Sequence, residues 1–368
     1  MTQAPQPRPG ARRTLHRTSR RATRPVVVLA ARLSVLLAAP LAVALAALMA
    51  ATGAQAQLFK DPALQAMYAA DQTSELAQAG AQRLARQSDD AQAVLAVAMA
   101  ALGTDDAGRR EAAIQRAEAC VQKAPPAPQL AVCQYALGTV LGVHAMSQGM
   151  LAAGRSAGKV KDALTEAVRL DAQWYPARSA AVEFYLLAPG VMGGSNRRAE
   201  ELARGAARPE QVRALQARVA LQEEQIDKAL GLLAQVQPGA DSALAEDVWK
   251  WQAEAGFALL QAKQVAQARP VFERLLRDQP TQAAGAYGLG RTLLEAGEAA
   301  QAVALLEKAQ RLSGASNYPG LTYRLGMALQ AGGQPEAAKA ALQRFVAAGR
   351  GPGKALDDAR KRLAQLGA

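Results

Sequence analysis

Glycine recurs at Gly256, Gly290 and Gly326, each inside a stretch of helical periodicity, and this recurrence constrains the chain more than any other feature. The spacings are 34 and then 36 residues. Each glycine follows a small or apolar neighbour, in Ala255-Gly256, Leu289-Gly290 and Leu325-Gly326. Twelve residues after each glycine comes an alanine, Ala268, Ala302 or Ala338, followed by a large residue, Phe272, Leu306 or Leu342. Small residues let two helix backbones approach, and the large ones fill the seam between them. The spacing therefore predicts antiparallel helix hairpins with short turns, such as those holding Gly297 and Gly332-Gly333. A lone hairpin cannot bury its apolar face, so neighbours must stack. The expected fold class is all-α, an alpha-alpha superhelix with a concave inner surface.

The pattern extends upstream in looser form. Ala229, Leu233 and Val236 repeat the second-helix positions, as do Ala163, Ala167 and Leu170, and then Ala199 and Leu202. Gly138 takes the close-contact position of an earlier unit. These copies resemble the tetratricopeptide repeat family in their small contact residues, their large seam residues and the terminating Pro280. The resemblance implies a solenoid that binds a protein or peptide partner, in roles such as assembly, secretion or envelope maintenance. On this reading residues 57–208 form divergent repeats with an insertion near 145–160. Residues 209–348 form regular repeats, and 349–368 a capping helix whose charges suit solvent.

The net charge of +12 is concentrated at the N-terminus. Residues 1–56 hold eight arginines and no acidic residue, which leaves about +4 on the rest. A nucleic-acid groove would interleave basic and aromatic residues, and no such stretch is present. The arginine run precedes PVVVLAARLSVLLAAPLAVALAALMA and then Ala54-Gln55-Ala56, the layout of a secretory signal cleaved before Gln57. An uncleaved membrane anchor is the alternative. The expected location is the periplasm of a Gram-negative bacterium, with no permanent anchor after cleavage.

The chain has two cysteines, Cys120 and Cys133, thirteen residues apart. Export favours a disulfide, and counting back from Gly138 puts Cys133 early on one helix and Cys120 late on the preceding one. His144 is the only histidine after the signal, so a metal centre or a histidine-based triad is not expected. No cofactor is expected. No nucleophile, base and orienter assemble at recognisable spacing, and the chain reads as a non-enzyme.

Two stretches depart from a plain array. Between Gly138 and Ala163 the chain spends 25 residues where the regular units spend twelve. Met146 and Met150 lie in this insertion, which is either a hairpin packed on its own repeat or a partner-binding feature. The second is Pro189-Gly190-Val191-Met192-Gly193-Gly194-Ser195, ahead of Asn196 and a new helix. It lacks the lysine and spacing of a phosphate loop. It is either a structural corner or, through Gly190, Gly193, Gly194, Ser195 and Asn196, an anion or peptide-end site. It resembles a PG-x-x-GGS corner of exported bacterial tetratricopeptide proteins.

Partner-binding positions on the first helices are expected at Tyr287, Arg291, Tyr323, Arg324 and Met327. Trp249 and Trp251 divide between core and anchor. The leading reading is a non-catalytic periplasmic scaffold for a peptide or protein of the envelope. The alternatives are a self-associating structural protein and, last, a glycan-related activity, against which stands the low aromatic content of 4%.

Overall fold

The computed structural model describes residues 57–312 and 314–367. The expected signal lies outside the described residues. Within them the chain forms seventeen α-helices and two short 3-10 turns, and no strand. The helices are α1 (Pro62–Ala69), α2 (Thr73–Arg86), α3 (Ala91–Leu102), α4 (Ala107–Gln122), α5 (Ala127–Ser147), α6 (Met150–Leu170), α7 (Tyr175–Leu187), α8 (Asn196–Arg204), α9 (Pro209–Gln222) and α10 (Ile226–Ala234). They continue with α11 (Ser242–Gln261), α12 (Val265–Asp278), α13 (Ala283–Glu295), α14 (Ala299–Gln310), α15 (Leu321–Ala331), α16 (Pro335–Ala348) and α17 (Gly353–Gln365). Local chemistry sets many of the starts. Asp61, Asp90, Asp106, Ser195 and Asp241 cap free amides with their side chains, and proline opens α1, α9 and α16, where no donor is needed.

Successive helices pair as antiparallel hairpins and stack in chain order. The odd-numbered helices α5, α7, α9, α11, α13 and α15 also touch one another, and α7 reaches α11, so these helices form the inner wall. The architecture is a solenoid of stacked helix hairpins.

The glycine period has a direct packing cause. A Cβ at Gly256 would lie 2.6 Å from the Phe272 ring, one at Gly290 2.8 Å from Leu306, and one at Gly326 2.7 Å from Leu342. Each large side chain sits sixteen positions after its glycine. The same knob occurs early in the chain, where a Cβ at Gly138 would lie 2.7 Å from Leu164, twenty-six positions on. The ten additional residues lengthen both helices of that hairpin, and α5 and α6 each run 21 residues. The paired helices α13 to α16 run eleven to fourteen. Alone among the described helices, α5 is long and apolar enough to cross a membrane. Its apolar side chains pack instead against α3, α4 and α6.

Cys120 and Cys133 are joined as a disulfide between α4 and α5, with Cα atoms 5.8 Å apart. Replacing both by alanine is expected to lower the local opening free energy of this corner by about 2–3 kcal/mol, the loop-closure value for a short loop. Hydrogen exchange of α4 and α5 amides reads that loss.

Candidate functional site

The two departures from the plain array meet. Because α5 and α6 outrun their neighbours, the hairpin tip has nothing to pack against, and Val143, Met146, Met150 and Leu151 are exposed there. The glycine corner comes to rest on the same hairpin, so that a Cβ at Gly154 would lie 3.2 Å from Met192 Cε and one at Gly193 3.4 Å from Lys161. This brings Leu187 and Val191 beside the tip. These six are the large apolar side chains left exposed among the described residues, Leu151 at 80% and Val191 at 97%. Scattered exposed leucines are ordinary, whereas grouped apolar side chains make this surface a candidate for interaction.

The corner itself spends its amides locally. Met192 N and Gly194 N donate to Pro189 O at 2.8 and 3.1 Å, Gly193 N to Gly190 O at 3.0 Å, and Ser195 N to Tyr185 O at 2.8 Å. Ser195 Oγ accepts from Arg198 N at 3.3 Å and caps α8. An anion nest needs free donors, and the amides of residues 192 to 195 are already taken. Gly193 holds φ +96°, while a Cβ at Gly194 would overlap the carbonyl of Ala188. Asn196, the first residue of α8, is exposed.

Behind the apolar tip lies a cavity of about 820 Å³. Its walls are α5, α6 and α7 on one side and α11 on the other, with Leu58 and Tyr68 closing it from the N-terminal segment. The exposed lining side chains Val143, Met146, Met150 and Leu187 mark its mouth, and the buried ones mark its interior. The interior is polar on the α7–α9–α11 side. Asp247 Oδ2 accepts from Tyr175 Oη at 2.9 Å and from Ser179 Oγ at 2.5 Å. Glu183 accepts from Arg218 Nε, Lys250 Nζ and Trp251 Nε1 at 2.9, 2.9 and 3.2 Å.

Burial raises the Glu183 carboxyl, but Lys250 and Arg218 outweigh it and hold the group below its ordinary value. For Asp247 burial wins, and its carboxyl is pushed up despite Lys250, Ser179 and Tyr175. Glu246 is raised too, by burial and by Asp247 beside it. Burial and the Asp247 carboxylate likewise raise the Tyr175 hydroxyl. Two neighbouring acids thus face one cavity, each with its carboxyl raised chiefly by burial.

An acid whose pKa is raised by folding contributes stability below its ordinary value and loses that contribution as pH climbs through the folded pKa. Asp247→Asn removes the ionisable group and leaves both hydroxyl partners in place. It is expected to raise Tm at about pH 8 and to leave Tm nearly unchanged near pH 4, so that the wild-type decline between them flattens. Thermal unfolding across that range checks it.

A tetratricopeptide repeat family profile matches residues 259–313, from the end of α11 to just past α14. The chain has a tetratricopeptide-like repeat fold. No curated protein sequence matches it. Among solved structures it is similar to pilF of Pseudomonas aeruginosa, with 15% identity over 62% of this chain and 97% of the other, at a TM-score of 0.43. A tetratricopeptide repeat protein from Parabacteroides merdae gives 14% identity over 71% and 93%, at 0.41. Human IFIT1, in a dimer with m7Gppp-AAAA, gives 15% over 75% and 63%, at 0.48.

In the tetratricopeptide-like stack the other expected binding positions are placed differently from Met146 and Met150. Tyr287 is buried, its ring centroid 4.6 Å from that of Tyr318 and 5.7 Å from that of Phe257. Arg291 lies over the Phe257 and Tyr287 rings at 5.5 and 5.8 Å. Tyr323 is also buried; its ring packs 5.4 Å from Phe345 and its hydroxyl donates to Asp358 at 2.7 Å. Arg324 covers the Tyr323 ring at 5.6 Å, and Met327 is half-buried against the same cluster. Both tyrosine rings are committed to packing and present little surface. Trp251 is fully buried, and Trp249 is half-buried.

The cavity's polar residues were missed as a group because they come from distant segments. One signal was available. On α11 the buried stripe runs Leu244, Val248, Trp251, Ala255, and Asp247 sits inside its arc, three positions from Leu244 and four from Trp251. An acid on an apolar helix face needs a partner or a purpose.

Proposed function

We propose that this chain is a non-catalytic periplasmic scaffold that holds an apolar segment of a cell-envelope protein in the cleft between α5–α6 and α11. A tetratricopeptide-like architecture suits protein and peptide binding. One observation carries the choice of surface: four of the six large apolar side chains exposed among the described residues, Val143, Met146, Met150 and Leu187, line the mouth of one cavity. Met146 and Met150 are unbranched and adaptable, as befits a surface that accommodates an apolar segment. The glycine corner contributes Pro189 and Met192 to the cavity wall beside Leu187 and is not itself the ligand site. Export through residues 1–56 accords with the disulfide, which an oxidising compartment sustains.

The test replaces rim residues with charge. Leu187→Asp combined with Val191→Asp alters two exposed side chains, so the fold is expected to survive with an unchanged circular dichroism spectrum. Quantitative co-purification after reversible crosslinking in the producing cell should show loss of a specific envelope protein, on the order of tenfold. Equal recovery of the same proteins by wild type and variant would overturn the assignment. Recovery of a second copy of this chain alone would instead favour self-association through the cleft.

A further inference from the structure

The cleft's charge specifies what kind of segment it takes. Four carboxylates line its polar side, those of Glu183, Glu246, Asp247 and Glu254, against two cations, Arg218 and Lys250. Both cations are engaged by Glu183, Lys250 through Nζ and Arg218 through Nε. Asp247 has two hydroxyl donors on Oδ2 and none on Oδ1, and Glu246 makes no ion pair, among the described residues. The surplus is therefore negative, and it sits next to apolar walls that lower the local dielectric.

A second group is also unmet. Arg218 is only 3% exposed and belongs to the cavity wall, yet its Nη1 is buried without a hydrogen-bond partner. Its nearest carboxylate oxygen, Glu254 Oε1, stands 4.0 Å away. A buried guanidinium nitrogen left without an acceptor is costly, and an acceptor brought by a ligand would relieve it. A carboxylate is poorly suited to that place, because Glu183 is already bonded to the same guanidinium. A neutral carbonyl oxygen fits.

Resting on the apolar-segment reading above, we infer that the occupant is a peptide segment bearing a lysine or arginine. Its aliphatic stem lies along Met146, Met150 and Leu187, its cation stands against Glu246 and Asp247, and a main-chain carbonyl accepts from Arg218 Nη1. A long basic side chain suits both halves of the cleft, since its methylenes pack on apolar surface while its head reaches the charge. Complementary charge of this kind selects partners more than it adds raw affinity.

The test uses three labelled peptides of one leucine- and alanine-rich sequence that differ at a single position, lysine, glutamine or glutamate. Fluorescence anisotropy with the full mature chain measures each. The lysine peptide should bind on the order of tenfold tighter than the glutamine peptide, and the glutamate peptide weaker still. In a Glu246→Gln, Asp247→Asn double variant the three affinities should converge on that of the glutamine peptide. A glutamate peptide that binds as well as the lysine one, with both weakened by Met146→Asp, would overturn the charge inference and leave the apolar cleft standing. Affinities that ignore Met146→Asp altogether would overturn the cleft reading itself.

Discussion

Phe272→Ala is expected to cost about 3–5 kcal/mol, the range for deleting a fully buried aromatic ring, and to melt the C-terminal repeats ahead of the rest. The ring is wholly buried and fills the space left by two glycines, Gly256 on α11 and Gly288 on α13. Neither glycine has a side chain that can move into the void. Because each repeat touches only its neighbours, the loss stays local, and a single global midpoint would misrepresent it. Urea titration followed by hydrogen exchange should show α12–α16 opening first while α2–α6 keep their protection. Uniform loss of protection along the chain would show that the stack unfolds as one block.

The second large effect is at the corner. Gly194→Ala forces a methyl into the carbonyl of Ala188, which is backbone and cannot rotate away. The turn has to open, carrying with it the Ser195 cap of α8 and the bond from Ser195 N to Tyr185 O. A loss of about 2–3 kcal/mol is expected, at the upper end for overpacking. Gly190→Ala is the internal control, since nothing lies within 4 Å of its added Cβ. Gly193→Ala falls between, through its left-handed φ of +96°, at a cost of about 1 kcal/mol. Chemical denaturation of the three variants should rank them in that order. Equal effects would mean that the corner is tolerant and that its glycines answer to something other than packing.

The repeat was legible because its signal is short-range. Gly290, Ala302 and Leu306 fall within one hairpin, and their spacing alone dictates the small-to-large seam that the structure shows. The extra length of this hairpin was legible in the residues between Gly138 and Ala163, but its register was not, since Leu164 fills the seam at Gly138 and the excess is ten residues rather than thirteen. Nor was its destination. Nothing local says that Val191 and Met192 fold back onto Gly154, or that α11 brings Asp247 opposite Tyr135 and Tyr175. That arrangement depends on how far the stack turns between α7 and α11, a sum of small interhelix rotations that residue spacing does not encode. Tyr287 shows the same limit from the other side. Its place on the first helix of a regular unit suggested the open inner face, but Tyr318, supplied by the loop before α15, closes over it.

Recognition is proposed to occur at the cleft where the long hairpin meets the glycine corner. In-cell photo-crosslinking with probes at Met150, Leu187 and Val191, and a control probe at the exposed Arg344, tests it most directly. The three cleft probes should capture the same envelope protein through one basic, apolar stretch of its sequence, and Arg344 should capture nothing specific. Specific capture from Arg344 with none from the cleft, or adducts at the cleft that share no partner, would contradict it.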